Sequence, residues 1–132
     1  MSHKSKGINA ERELIHLFWG NAGWAAIRVA GSGAIKYPAP DIVAGNAQRT
    51  LAIECKSTKS RYQYLEKESV AELAEFATRL GAEPWIAVRF NRDKWYFLEP
   101  KDLIETKNQY AVNFEFLKNK GITFESLINK KQ

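Results

Sequence analysis

Two acidic residues and a lysine stand close together in the middle of the chain, on two neighbouring segments. Asp41 follows Pro40 on the first segment, and Glu54 and Lys56 lie on the second. Hydrolysis of a phosphodiester needs a hard cation held by carboxylates, an activated water and positive charge near the phosphate. We therefore expect Asp41 and Glu54 to bind a metal, with the backbone carbonyl of Cys55 as a candidate third ligand. A lysine acts as a base only with a strongly lowered pKa, so we expect Lys56 to position the water or stabilise the phosphorane.

These two segments predict a β-hairpin. Asp41–Gly45 and Thr50–Ser57 have the short, apolar-rich and alternating patterns of strands, and Asn46–Arg49 is a suitable connection. In a symmetric hairpin Asp41 lies directly opposite Glu54, on the same face, with Cβ atoms about 4.5–5.5 Å apart. Two carboxylates at that separation repel one another, and a bound cation is the simplest compensation.

The rest of the chain predicts further helices and strands around this hairpin. The expected helices run from Asn9 to about Asn21, from Glu66 to Leu80 and from Phe124 to Asn129, and the expected strands are Trp24–Val29, Trp85–Phe90, Lys94–Glu99 and Tyr110–Phe114. The passage from residue 50 to residue 90 is long enough for a parallel crossover. The predicted fold class is α/β, a central mixed β-sheet flanked by helices in one domain over residues 1–132.

Composition narrows the kind of partner and metal. The chain has 20 Lys+Arg against 15 Asp+Glu and a formal charge of +5, which suits nucleic acid, an anionic membrane surface or simply a solvated basic surface. No apolar run approaches the roughly 20 residues of a membrane span, and the start lacks a signal core, so we expect a cytoplasmic protein. Cys55 is the only cysteine, and His3 and His16 are the only histidines. Carboxylates must then hold any metal, which favours Mg²⁺, with Mn²⁺ as a substitute.

The motifs resemble a known nuclease family. Pro40-Asp41 followed by Glu54-Cys55-Lys56 has the form of the PD-(D/E)xK nuclease signature. The stretch Lys6-Gly7-Ile8-Asn9-Ala10-Glu11-Arg12-Glu13-Leu14 resembles the N-terminal helix of the archaeal Holliday junction resolvases, and the similarity runs to about residue 99. The resemblance implies a restriction-endonuclease-like core and an endonuclease that resolves four-way junction DNA by paired, Mg²⁺-dependent nicks. It also implies a homodimer.

The same resemblance implies roles for residues that composition alone leaves open. Glu11 takes the place of a catalytic, metal-binding glutamate, although without the resemblance Glu13 is equally plausible. Arg12 implies a phosphate contact, and Arg28 matches an arginine of the first strand. The loop Ala30-Gly31-Ser32-Gly33 fills the place of a Ser-Gly loop, so Ser32 is expected to assist catalysis and contact DNA.

A basic segment with two tyrosines follows the second hairpin strand. Lys59-Ser60-Arg61-Tyr62-Gln63-Tyr64 suits contacts to phosphates and bases, so Lys59 and Arg61 are candidate DNA-binding residues. The next segment, Glu66-Lys67-Glu68-Ser69, lacks the neutral or basic polar residue that many PD-(D/E)xK nucleases carry there, and we assign it no catalytic role. Two other functions stay open: a nuclease of this class with a different DNA or RNA substrate, and a non-catalytic DNA-binding module.

Large apolar residues offer a candidate dimer surface. In Lys94–Glu99 such residues fall on both faces of one strand, and Phe76 lies off the apolar stripe of its helix. Both would be exposed in a monomer and covered in a C₂ dimer, whose two sites suit two matched nicks. The alternative is that a later segment, such as Tyr110 to Phe116, covers them within one chain.

Overall fold

The part of the chain that the structure describes contains both helices and strands. The computed structural model describes residues 3–31 and 36–131, with side chains from residue 7 onward. In chain order the elements are α1 (His3–Trp19), β1 (Ala25–Arg28), β2 (Ile42–Gly45), β3 (Thr50–Thr58), β4 (Tyr62–Glu66), α2 (Lys67–Leu80), β5 (Glu83–Phe90), β6 (Tyr96–Leu98), a 3₁₀ turn (Pro100–Asp102), β7 (Ile104–Glu105), β8 (Gln109–Asn113), α3 (Phe114–Lys120), β9 (Ile122–Thr123) and α4 (Phe124–Asn129).

Six strands form the larger sheet, in the order β1-β2-β3-β5-β6-β9. β3 and β5 run parallel, and the other neighbouring pairs are antiparallel. The connection between β3 and β5 carries β4 and α2, so it is the crossover that two parallel strands require. The predicted fold class, a mixed sheet flanked by helices, is confirmed.

β2 and β3 form the predicted hairpin in the predicted register. The pairs run from Ile42 opposite Ile53 to Gly45 opposite Thr50. Asn46 closes the turn, because its side-chain oxygen accepts two backbone N–H groups, at 2.9 and 2.7 Å. An asparagine that binds the backbone two and three residues ahead fixes a tight turn without help from the rest of the fold.

β3 continues beyond β2 at one end of the hairpin. The last β2 pair is Ile42 with Ile53, whereas β3 pairs with β5 as far as Thr58 opposite Phe90. The end of β3 therefore has an open edge on the side where β2 has stopped, directly beside Asp41.

Helices α1 and α2 cover opposite faces of the larger sheet. Ala10, Leu14 and Phe18, four residues apart on α1, pack in one core with Leu51 and Ile53 of β3. In the other core, Val70, Leu73 and Ala77 of α2 pack with strand residues that point to the opposite face of the sheet. Examples are Ala52 of β3 and Ile86 of β5. This division follows from the two-residue period of a strand, which sends neighbouring side chains to opposite faces.

Two details of the helices differ from the prediction. α1 begins at His3 rather than Asn9, which is therefore an interior residue and not a cap. The glycine at position 7 disfavours a helix by about 1 kcal/mol, a local signal that packing of the apolar stripe overrides. α2 ends as expected at Gly81, whose φ of +78° suits glycine. Leu80, expected in the buried stripe, is instead 52% exposed.

The C-terminal third contains more structure than the sequence indicated. A second sheet has the order β4-β8-β7, and its strand β4 lies in and beyond the basic segment with two tyrosines, to which no strand was assigned. The predicted strand near Tyr110 corresponds to β8. The last helix begins as predicted at Phe124 and is capped by Thr123, whose hydroxyl accepts the Ser126 N–H at 3.2 Å. α3, β7 and β9 were not predicted, because they are short and depend on distant partners.

The proposed aromatic dimer surface on β6 is wrong. Trp95, Tyr96, Phe97 and Leu98 are each at most 8% exposed. β6 is paired on both sides, by β5 and β9, and both cores take side chains from this segment. Phe76 is also partly buried, in the α2 core. Later segments of the same chain, such as β9, therefore cover the residues of β6, which was the alternative.

Within the described residues, none of the helices has the length and apolar character needed to cross a lipid bilayer.

Candidate active site

Asp41 is held in place by the backbone of both neighbouring strands. Its Oδ2 accepts the N–H of Cys55 at 2.8 Å. Its own N–H donates to the Ile53 carbonyl at 3.0 Å, and its carbonyl accepts the Val29 N–H at 2.8 Å. The carboxylate is thus fixed at the point where β2 leaves β3, with one oxygen bound to the backbone.

Glu54 lies against this carboxylate, as the predicted register required. Its side chain is only 16% exposed. The pKa of Glu54 is raised from its ordinary value of 4.5 to about 8, chiefly because the group is buried and next because of the charge of Asp41 and a hydrogen bond with that carboxyl group. Lys56 opposes the rise. In the metal-free protein the pair therefore tends to keep one proton near neutral pH.

Glu11 approaches the pair from helix α1. Its pKa is raised from 4.5 to about 7, chiefly by burial and next by the charge of Asp41, while the guanidinium of Arg28 opposes the rise. The structure therefore brings together Glu11, Asp41 and Glu54, the three carboxylates expected from the motifs. Arg28 lies close enough to act on Glu11, so it belongs to the surroundings of the acidic cluster.

Lys56 shares the site with the acidic pair. Its Nζ is 3.9 Å from Oε2 of Glu54, and its side chain is 35% exposed. Glu54 and Lys56 are two residues apart on β3 and so point to the same face. The ammonium is close enough to stabilise negative charge beside Glu54 while still reaching solvent.

A small cavity joins these groups at the open edge of β3. It has a volume of about 240 Å³, and Glu11, Asp41, Glu54 and Lys56 all line it. Burial raises the pKa of the Cys55 thiol well above its ordinary range, and the Asp41 charge adds to this. The thiol therefore stays protonated, and oxygen atoms are the metal ligands that this cavity offers.

The donor set fits a hard divalent ion, although it is not yet arranged around one. Among the residues that the structure describes, no three histidine, cysteine, aspartate or glutamate side chains are already gathered closely enough to hold a metal. Mg²⁺ usually takes one or two carboxylates and completes its shell with water and substrate phosphate. Two carboxyl groups in contact, both disfavoured as neighbouring anions, provide that minimal set.

The other predicted DNA-binding residues lie around the cavity at different distances. Arg12, Lys59 and Arg61 are exposed. Lys59 lines a groove of about 980 Å³ that begins beside the cavity, whereas Arg61 lines a separate depression near the end of β5. Ser32 lies outside the described residues.

Two residues at or beside the cavity, Trp95 and Arg89, were not predicted from the sequence. Trp95 lines the catalytic cavity, and the guanidinium of Arg89 lies 5.0 Å from the centre of its ring. Trp95 looked like a core aromatic and Arg89 like one charge in an apolar strand. The available signal was position, since Arg89 lies near the end of a buried strand that runs parallel to the one that carries Glu54.

Comparison with known proteins gives one consistent family. A family model described as archaeal Holliday junction resolvase (Hjc) matches residues 2–132. The crossover junction endodeoxyribonuclease Hjc of Archaeoglobus fulgidus is 44% identical over 110 residues, which are 83% of this chain and 80% of that protein. The protein of the same name from Methanocaldococcus jannaschii is 33% identical over 131 residues, 98% of this chain and 92% of the relative.

A solved structure shares the fold as well. The 1.6 Å structure of Archaeoglobus fulgidus Hjc, described as a Holliday junction resolvase from an archaeal hyperthermophile, matches with a TM-score of 0.84 and 37% identity, over 92% of this chain and 98% of that one. The mixed sheet with an acidic cluster at its open edge is thus a nuclease-type α/β fold. The chain belongs to the archaeal Holliday junction resolvase family.

Proposed function

We propose that this chain is an endonuclease that resolves four-way DNA junctions by metal-dependent hydrolysis of phosphodiester bonds, acting as a single nuclease domain. The family match and the names of the relatives bear out the prediction of a junction-cleaving nuclease. The observation that carries the proposal is the acidic pair: the Asp41 carboxylate is fixed by the Cys55 amide and touches Glu54 at the open edge of β3.

The proposed metal is Mg²⁺, with Mn²⁺ able to replace it. Asp41 and Glu54 would hold it, and Glu11 would join them from α1, because all three line one cavity. The N–H of Cys55 points towards Asp41, and in a strand the N–H and C=O of one residue point to the same side. Its carbonyl therefore lies on the same open edge, which supports it as a further ligand. The bound ion would supply Lewis acidity at the scissile phosphate.

Lys56 is proposed to position the attacking water and to balance the charge of the pentacoordinate phosphorane. The ammonium stands beside Glu54 and retains contact with solvent, so it can meet a phosphate oxygen without first breaking a buried ion pair. Proton abstraction by Lys56 is not required in this scheme, since a carboxylate-bound metal already makes water more acidic.

Binding of the junction is proposed to use the basic residues around the cavity. Arg12, Lys59 and Arg61 are exposed cations that can contact phosphates, and Arg28 can do so near the acidic cluster. Ser32, in the loop that precedes Asp41, is proposed to contact the DNA backbone and to assist catalysis. Contacts of this kind position the protein with little dependence on base sequence.

A homodimer is proposed because two matched nicks need two active sites related by a two-fold axis. The face of the sheet that α2 covers offers a surface for it. Across this face Ile27 pairs with Val43 and Val43 with Ala52, which is buried against α2, whereas Ile27 is 63% exposed. Leu80 on α2 is 52% exposed. The apolar surface thus continues past the helix towards the edge strand.

The direct test is a cleavage assay with Mg²⁺ on a four-way junction, a fork, linear duplex DNA, single-stranded DNA and RNA. We expect paired nicks on the junction and far slower cleavage of the others, with loss of activity in EDTA. Glu72→Gln removes one negative charge at an exposed position on α2. It is the control for variants that change the net charge, and it should cleave the junction as the wild type does.

Other outcomes would redirect the assignment. Equal cleavage of linear duplex or RNA would indicate a nuclease of the same class with a different substrate. Tight junction binding without cleavage, in Mg²⁺ and in Mn²⁺, would indicate a non-catalytic DNA-binding module.

A further inference from the structure

Arg89 stands at the end of β5, beside the catalytic cavity. In the register of the sheet it lies opposite Ser57 of the parallel strand β3, the residue that follows Lys56. Ser57 lines both the cavity and the adjoining groove of about 980 Å³, and Arg89 lines that groove. A nucleic acid strand that runs from the acidic pair into this groove therefore comes close to Arg89.

The guanidinium of Arg89 is held in a fixed orientation. It lies 5.0 Å from the centre of the Trp95 ring, and Trp95 is only 4% exposed. The Arg89 side chain is itself 14% exposed, and its Nε is buried without a hydrogen-bond partner among the described residues. A stacked guanidinium that has already left most of its water loses little more on binding an anion, and it can bind phosphate through two N–H groups.

The anion that occupies Arg89 in the free protein is the carboxylate of Glu13, which accepts a hydrogen bond from Nη1. The Glu13 side chain is 61% exposed. Ion pairs with such an exposed partner contribute little to stability, because water competes for the carboxylate. Glu13 lies on the groove side of α1 and lines the groove together with Arg89. The pair is therefore open to exchange from the groove.

We infer that Arg89 binds a phosphate of the DNA strand that leaves the catalytic cavity, and that Glu13 masks this site until DNA replaces it. The inference rests on the proposed nuclease function and adds a contact outside the predicted basic residues. A phosphate in place of Glu13 keeps the guanidinium paired, stacked on Trp95 and beside the cavity that Trp95 lines. The mask also keeps a preoriented cation neutralised at a groove that would otherwise attract unrelated anions.

The far wall of the groove supports a strand in this place. Asn91 and Arg92 have φ values of +49° and +60°, and a residue as bulky as arginine rarely adopts this conformation. Arg92 lines the groove with Lys59, across from α1. The strained turn thus adds a second exposed cation to the path that begins at Arg89.

Junction affinity in EDTA, where no cleavage occurs, tests the mask directly. We expect Glu13→Gln to raise affinity about three- to tenfold and Arg89→Gln to lower it about tenfold, the range for the net contribution of one ordinary hydrogen bond. Arg89→Gln should also reduce the slope of log affinity against log salt by about 0.9, the value for one phosphate contact. Glu72→Gln changes net charge equally on α2 and should leave affinity unchanged.

The double variant distinguishes a mask from a simple negative charge near the groove. If Glu13 acts by occupying Arg89, Glu13→Gln should gain nothing in the Arg89→Gln background. An equal gain in both backgrounds would overturn the mask. Unchanged affinity in Glu13→Gln alone would overturn it as well, and this variant is safe to make because Glu13 is exposed. Arg89→Met, which removes the charge but keeps a long side chain beside Trp95, replaces Arg89→Gln in both tests if that variant does not fold.

Binding and cleavage measurements on the wild-type protein distinguish failure of this inference from failure of the proposed function. If the wild type neither binds nor cleaves a four-way junction, the proposed function fails. If the wild type cleaves the junction with Mg²⁺ while the Glu13 and Arg89 variants bind like the wild type, the inference alone fails.

Discussion

Replacing Glu54 by glutamine should stabilise the metal-free protein at alkaline pH while removing its activity. Folding raises the pKa of this carboxyl group from 4.5 to about 8, chiefly because the group is buried and next to Asp41. The folded protein therefore binds more protons than the unfolded chain between these two pH values. Its free energy of unfolding should fall as pH rises through this window, with the contribution fully present below pH 4.5 and lost above pH 8.

The size of the effect follows from the width of the window. At about 1.4 kcal/mol per pH unit, full ionisation of Glu54 opposes folding by at most about 5 kcal/mol. Asp41 and Glu11 remain charged neighbours in the variant, and the glutamine amide can still donate to Asp41 as the protonated acid does. We therefore expect Glu54→Gln to gain about 2–4 kcal/mol at pH 8.5 and almost nothing at pH 4.5.

Urea denaturation in EDTA at these two pH values measures the gain. Mg²⁺ should then stabilise the wild type at pH 8.5, because it binds the folded state, and should stabilise Glu54→Gln much less. Glu72→Gln, with its exposed position, should match the wild type throughout. A variant no more stable than the wild type at pH 8.5, or equally stabilised at both pH values, would show that the carboxyl pair is not under this electrostatic strain.

Three further predictions concern the metal, the core and the assembly. Asp41→Asn should reduce junction cleavage by several orders of magnitude with junction affinity retained, in single-turnover and gel-shift assays, since it removes a proposed ligand but no basic residue. Arg49→Ala should lower the free energy of unfolding by about 3–5 kcal/mol in urea titrations, because the 6% exposed side chain binds both carboxylate oxygens of Glu83 and the Leu127 carbonyl. Sedimentation equilibrium of the wild type should give twice the 15.1 kDa chain mass, and the double variant Ile27→Lys, Leu80→Lys should give the mass of one chain. A wild-type monomer that makes both nicks in one binding event would refute the dimer.

The hairpin that carries the acidic pair was predictable because its determinants are local. Alternation fixed the faces of the two strands, and the connection at Asn46 fixed their register, so the contact between Asp41 and Glu54 followed from residues within fourteen positions. Glu11 was different. Nothing in its own segment distinguishes it from an ordinary helix acid, and its place in the cavity came from the family resemblance.

The parts of the fold that escaped prediction depend on distant partners. No strand was predicted at β4, because its segment was interpreted from its basic residues and tyrosines as a candidate DNA contact, and it pairs only with β8, more than forty residues later. Arg49 looked like a hairpin turn residue. It is instead the buried link between the hairpin and α4, through a hydrogen bond across 78 positions. Burial of a charge is decided by such tertiary partners and leaves little trace in a local pattern.

Glu11 and Glu13 show where sequence reasoning stops and geometry takes over. At 3.6 residues per turn, positions two apart on a helix point about 200° apart around its axis, so both cannot enter one cavity. In the structure the two glutamates have different surroundings. Glu11 lies with the acidic residue Asp41 in the cavity, whereas Glu13 forms an ion pair with Arg89 at the groove. Exchange of the two roles would require α1 to rotate by half a turn and expose the apolar stripe of Leu14. The packing of α1 on the core therefore decides that Glu11, and not Glu13, lines the cavity with Asp41, and it leaves Glu13 facing the groove proposed for the DNA.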